Sequence, residues 1–73
     1  MQGATLTMPK LIRLREVRES QFLTQGELAE RSGVSRQTIN RLEGGEIEPR
    51  FKTIRQLAQA LGVEPRRLIG EEQ

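Results

Sequence analysis

The sequence contains no cysteine, histidine, aspartate, tyrosine or tryptophan. Without cysteine there is no disulfide framework and no thiolate metal site. Without histidine no side chain titrates near neutrality unless strongly perturbed. Glutamate is the sole carboxylate, which removes most routes to general acid–base or metal chemistry. An enzyme is therefore not expected, and neither a metal nor another cofactor. Two phenylalanines, Phe22 and Phe51, are the only aromatics. No apolar run approaches the ~18 residues of a membrane span. Met1 to Pro9 lacks the cationic start and long apolar core of a signal peptide. No membrane association is expected, and the expected location is the cytoplasm.

What remains is 73 residues, enough for one domain near the lower limit for an unstapled core. So small a chain has little room for a small-molecule ligand. Net charge is +2, and ten of the twelve cations are arginine. Their placement says more than their sum. Val34 to Leu42 holds Arg36 and Arg41 and no acid. Glu43 to Pro49 holds three glutamates and no cation. Arg50 to Arg55 holds Arg50, Lys52 and Arg55 and no acid. This is the layout of a basic face with acidic segments directed elsewhere.

The stretch Thr24 to Gly45, TQGELAERSGVSRQTINRLEGG, carries the organising signals. Thr24 and Glu27 have the spacing of a capping box, with Leu23 and Leu28 placed as a hydrophobic staple. Gly33 falls where a helix ends in the left-handed region. Val34, Ser35 and Ile39 then repeat the start signals for a second helix, which Gly44 and Gly45 close. Two helices joined around a glycine form a helix-turn-helix pattern.

The rest of the chain also reads as helix. Pro9, Leu11, Leu14 and Val17 predict a first helix over about Met8 to Ser20. The second and third are predicted over Gln25–Ser32 and Arg36–Glu43. Phe51, Ile54, Leu57, Ala58 and Leu61 form the apolar stripe of a fourth over Phe51–Leu61, capped by Gly62. Pro65 begins a short fifth over Pro65–Ile69. No segment alternates with period two, so no strand is expected. The fold class is all-α, a compact five-helix bundle. The domain is expected to span residues 8–70, between a disordered tail at 1–7 and a short tail at 71–73. Met8 is a second candidate start, and the chain is expected to be a whole small protein. The expected core is Leu11, Leu14, Val17, Leu23, Leu28, Ala29, Val34, Ile39, Leu42, Ile54, Leu57, Ala58, Leu61, Val63 and Leu68.

The third helix has two faces. At ~100° per residue, Gln37 falls about 160°, Arg41 about 200° and Asn40 about 100° from Ile39. Ile39 and Leu42 therefore point inward, and an acid-free set of Arg, Gln, Asn and Arg points outward. These are the side chains that pair with base edges in the major groove, Arg with guanine and Gln or Asn with adenine. Arg36 stands at the first helical position, where a cation opposes the helix dipole by ~0.3–1 kcal/mol. A locally unfavourable residue on an exposed face points to a partner.

With these residues in view, Leu14 to Val63 resembles the phage repressor/Cro-like (Xre-type) helix-turn-helix domain. The matching pieces are LREVRESQFLTQGELAERSGVSRQTINRLEGG and then PRFKTIRQLAQALGV, about 50 of the 73 residues. The resemblance implies a lambda-repressor-like fold in which helices 2 and 3 form the helix-turn-helix and helix 3 recognises double-stranded DNA. By position it implies base reading by Arg36, Gln37, Thr38 and Arg41. It implies phosphate contacts by Gln25, Ser35 and Arg50, a part for Gln25 in positioning the reading side chains, and a structural ion pair between Arg18 and Glu43. The implied activity is transcriptional regulation, as a repressor that binds an inverted-repeat operator as a homodimer. Leu68, Ile69 and parts of helix 4 are the candidate dimer surface. The alternative is an antitoxin or other regulator whose main partner is a protein. One departure stands out: the loop after helix 3, often cationic in this family, here carries Glu46 and Glu48.

Overall fold

A computed structural model of the protein describes residues 13–69. Four α-helices follow in order: α1 (Leu14–Ser20), α2 (Gln25–Ser32), α3 (Arg36–Glu43) and α4 (Phe51–Leu61). A single 3-10 turn, Pro65–Arg67, closes the described chain. No strand occurs among the described residues, and no helix there is long and apolar enough to cross a membrane.

The expected fifth α-helix is thus a correction. Its backbone bonds run from Arg67 to Glu64, Leu68 to Pro65 and Ile69 to Arg66, all of the tighter i→i+3 type. Gly70, a poor helix former, follows directly in the sequence and offers no support for a longer element. The first helix also begins later than its periodicity suggests. The Arg13 N–H donates to the Leu68 carbonyl at 3.0 Å, so it is not spent within a helix that started at Met8. Arg13 is the N-cap, and α1 starts at Leu14. Leu11, the proposed tails and the segment Met8 to Ile12 lie outside the described residues.

Local signals fix α2 and α3. The Glu27 N–H donates to Thr24 Oγ1 at 3.0 Å, and the Thr24 N–H donates back to Glu27 Oε1 at 2.8 Å. The Thr24 backbone N–H first, and the Thr24 hydroxyl second, hold the Glu27 carboxyl below its usual range. A depressed carboxyl stabilises the fold above its unfolded pKa, and the contribution is lost as pH falls through the folded value. Leu23 and Leu28 are both buried beneath this cap. Gly33 ends α2 at φ 80°, a conformation glycine adopts without a Cβ clash. Ser35 then caps α3, accepting from the Thr38 N–H at 3.1 Å.

The helices enclose one core. Leu14, Leu28, Ile39, Leu57 and Leu68 are completely buried, drawing one residue from every helix and one from the end of the final turn. Val17, Leu23, Val34, Leu42, Ile54, Ala58 and Leu61 complete it, with Ala29 and Val63 packed at its edge. Phe51 departs from its expected place in the stripe and is 74% exposed. Helical Cα–Cβ bonds tilt toward the N-terminus, so a side chain in the first position of α4 projects past the end of the bundle.

The α1–α2 connection contains the one non-glycine residue with positive φ among the described residues, Phe22 at 59°. Gln21 beside it donates from Nε2 to the Leu61 carbonyl at 2.7 Å and so caps the end of α4. Phe22 is 92% exposed and makes little use of its ring. Phe22→Gly is expected to raise stability by about 1 kcal/mol, because the left-handed conformation costs an L side chain that much. Urea unfolding measures it; a destabilised variant would mean that the ring contributes packing this geometry lacks.

Candidate nucleic-acid interface

Hydrophobic anchoring determines what α3 can present. Ile39 and Leu42 are buried, while Arg36, Gln37, Asn40 and Arg41 are exposed and Thr38 is half-buried. Among the described residues, the side chains of Arg36, Gln37 and Arg41 form no hydrogen bond or ion pair within the protein. Their polar ends remain available to an external partner. Ser35 donates from Oγ to Thr38 Oγ1 at 2.9 Å. The two hydroxyls share one bond, so one hydroxyl hydrogen of the pair is left for an outside acceptor.

Beneath this face lies a buried charge pair. Arg18 on α1 is 8% exposed. It donates from Nε to Glu43 Oε2 at 2.7 Å and from Nη2 to Glu43 Oε1 at 2.9 Å, a two-pronged contact that ties α1 to the end of α3. Its third arm, Nη1, donates to the Leu23 carbonyl at 2.8 Å. The hydrogen bond to Glu43 raises the Arg18 pKa further, against the opposing effect of burial, so the guanidinium stays charged at any working pH.

Gln25 extends the pair toward the surface. Its Nε2 donates to Glu43 Oε1 at 3.0 Å and to Asn40 Oδ1 at 3.3 Å. Both amide hydrogens are thereby in use, and the side chain has no donor left for a phosphate. The backbone offers one instead. In the first turn of α2 the Glu27 and Leu28 N–H groups are bonded to Thr24. The Gln25 and Gly26 N–H groups have no helical acceptor, as the first turn of a helix requires. The linkage of Gln25 to Asn40 and Glu43 was not legible in the sequence, because it spans 15 and 18 positions.

Arg50 is exposed at the N-cap of α4, with no side-chain cap bond, and α4 has no acid in its first turn. The acidic loop folds back on α3: the Glu46 N–H donates to the Arg41 carbonyl at 2.9 Å. Glu46 Oε2 lies 3.4 Å from where a Cβ on Gly44 would stand. Its charge is thus held near the C-terminal end of α3, away from Arg36. At the far side of α4, Phe51, Ile54, Pro65 and Ile69 line an apolar recess with Arg55 and Glu64 at its rim. Ile69 is half-buried there, whereas Leu68 is in the core and is not part of that surface.

A helix-turn-helix family model matches residues 14–68. An uncharacterised HTH-type transcriptional regulator of Methanothermobacter thermautotrophicus is 51% identical over 51 residues, covering 70% of this chain and 74% of its own length. The restriction-modification controller protein C.AhdI of Aeromonas hydrophila superposes with a TM-score of 0.74 at 41% identity, over 77% of this chain and 85% of that one. The DNA-binding domain of the phage P22 c2 repressor gives a TM-score of 0.75 at 28% identity, over 89% and 88% of the two chains.

Glu43→Ala is expected to cost about 3–5 kcal/mol of stability, since it leaves the buried Arg18 guanidinium with only the exposed Glu19 carboxylate, 3.9 Å away, as counter-charge. Denaturant unfolding checks this, and a loss below about 1 kcal/mol would show that the pair is not a structural tie.

Proposed function

This chain belongs to the helix-turn-helix family of Cro/C1-type DNA-binding transcriptional regulators, and we propose that it acts in the cytoplasm as a homodimeric repressor reading an inverted-repeat operator. The observation that carries this reading is α3 itself. Its apolar side is locked by Ile39 and Leu42, and its other side, itself without an acid, holds out Arg36, Gln37 and Arg41, which have no partner among the described residues.

In the proposed complex α3 lies in the major groove. Arg36, Gln37 and Arg41 read base edges, as bidentate donors and amides do, and Thr38 adds a short polar contact. Phosphates are held at the rim, which fixes register without reading sequence. Arg50 supplies a cation, the Ser35–Thr38 pair supplies a hydroxyl, and Gln25 supplies its backbone N–H at the start of α2. The positive end of the α2 dipole adds to that last contact.

The dimer reading rests on the recess beside α4. Phe51 is largely exposed, and unlike Phe22 it adjoins other apolar side chains, with Pro65 and Ile69 extending the surface. Glu64 and Arg55 at its edge carry opposite charges, which a two-fold axis can bring together between copies. Two copies so joined read half-sites about 10 bp apart or a multiple of that.

Arg41→Ala is expected to cost about 1–3 kcal/mol of specific binding and to relax preference at one base pair, whereas Arg50→Ala weakens all duplexes alike and lowers the salt slope by about one. Titration against operator and scrambled duplexes separates them, and exchanged behaviour would refute the assigned faces. Phe51→Glu is expected to sediment as a monomer at concentrations where the unaltered protein is a dimer; an unchanged dimer would place the interface elsewhere.

A further inference from the structure

Phe22 is costly where it stands and returns little to the fold. Its φ of 59° strains a bulky L side chain, and its ring, almost fully exposed, gains no burial in exchange. Yet the turn that carries it is tied down on both sides. Gln21 is bonded through its side chain to the Leu61 carbonyl. Leu23 is buried, with its N–H on the Arg18 carbonyl and its own carbonyl on the Arg18 guanidinium. The Phe22 N–H donates to the Glu19 carbonyl at 2.9 Å. The ring is thus displayed from a fixed point. No residue from Ser20 to Gly26 is charged, so nothing on the turn itself repels a polyanion. Nor does the ring belong to the apolar recess beside α4. A protein interface needs a contiguous patch, whereas a single apolar side chain is enough to make a contact in the minor groove of DNA.

Its place in the fold points the same way. Phe22 stands three residues before Gln25, so their Cα atoms are at most about 11 Å apart. Helix α2 packs against both α3 and α4. The Gln25 side chain turns toward α3, to Asn40 and Glu43, whereas the Gln21 side chain turns toward the end of α4. The order across the molecule is therefore α3, the start of α2, then the turn with Phe22. The order across a duplex is major groove, sugar–phosphate strand, minor groove. With α3 in the major groove and the Gln25 N–H on the strand, the turn falls on the minor-groove side. We propose that Phe22 is a further DNA contact, its ring laid against the deoxyribose wall of the minor groove that flanks each half-site. The inference rests on the DNA-binding reading above. Deoxyribose is the least polar part of the strand. An uncharged ring against it adds affinity without neutralising a phosphate and without reading a base.

Phe22→Gly suits the test because it is expected to stabilise the fold, so weaker binding cannot be a symptom of unfolding. The operator is first selected from random duplexes with the unaltered protein. It is then prepared as a long duplex with flanks and as a trimmed duplex that ends at the half-site edges. On the long duplex Phe22→Gly is expected to bind about tenfold more weakly than the unaltered protein. The salt dependence stays the same, since no phosphate contact is lost. On the trimmed duplex the two proteins bind alike. Hydroxyl-radical cleavage shows the flanking sugars protected by the unaltered protein and open with Phe22→Gly. Phe22→Asn, which also tolerates the left-handed region, gives the same profile and separates loss of the ring from the looseness of glycine. Equal affinity of Phe22→Gly and the unaltered protein for the long duplex overturns the proposal and would leave the ring to a protein partner. So does an equal loss on the trimmed duplex, or equal cleavage of the flanking sugars. Failure of the unaltered protein to enrich any sequence overturns the regulator reading itself, at the selection step and before any variant is compared.

Discussion

The contact between Arg18 and Glu43 is the constraint on which the other features depend. A guanidinium taken out of water is costly unless its charge and all its donors are met. Here one carboxylate meets the charge through two bonds, and the Leu23 carbonyl takes the third arm. Three elements are thereby fixed relative to one another: α1, the chain entering α2, and the end of α3. Apolar packing alone would tolerate small slides and rotations of α3, since Ile39 and Leu42 are only two anchors. The ion pair removes that freedom at the end of the helix where Arg41 and Asn40 stand. Rigidity matters for reading DNA, because a side chain can discriminate between bases only if its backbone is held to a fraction of an ångström.

The same pair connects the interior to the surface beside α3. Glu43 accepts from both Arg18 and Gln25 on one oxygen, Oε1. A buried interaction and a surface amide thus share an acceptor. The local charge layout follows the same division. Acids in the loop after α3 are folded against its C-terminal end through Glu46, while the start of α3 and the start of α4 carry cations without acids. The net charge of +2 is modest for a DNA-binding chain, so affinity rests on where the cations sit.

Much of this was legible in the residues, and the reason is locality. Caps and staples act over a few residues, so Thr24 with Glu27, and Ser35 between Val34 and Ile39, marked α2 and α3 at their observed bounds. Helical periodicity separated Ile39 and Leu42 from Arg36, Gln37 and Arg41 without reference to anything outside α3. What escaped depends on distant partners. The start of α1 is set by the Leu68 carbonyl, near the other end of the chain. The final element is too short for its sequence to distinguish a 3-10 turn from an α-helix. Phe51 fits the apolar stripe by angle and lies outside by height, which a helical wheel does not register. Arg18 and Glu43 were paired through family resemblance, and nothing in their own surroundings announces the contact. The resemblance implied that Gln25 helps to position reading side chains, but its bonds to Asn40 and Glu43 could be named only once the helices were placed.

The central claim is that α3, pinned by its apolar side and by Glu43, reads a defined sequence as one half of a symmetric dimer. Enrichment from random duplex DNA, sequenced for both half-site and arrangement, tests it most directly. A single half-site repeated in inverted orientation is expected, with centres about one helical turn, or a multiple, apart. An enriched half-site without a symmetric mate would contradict the dimer, and no enrichment at low salt would contradict DNA recognition altogether.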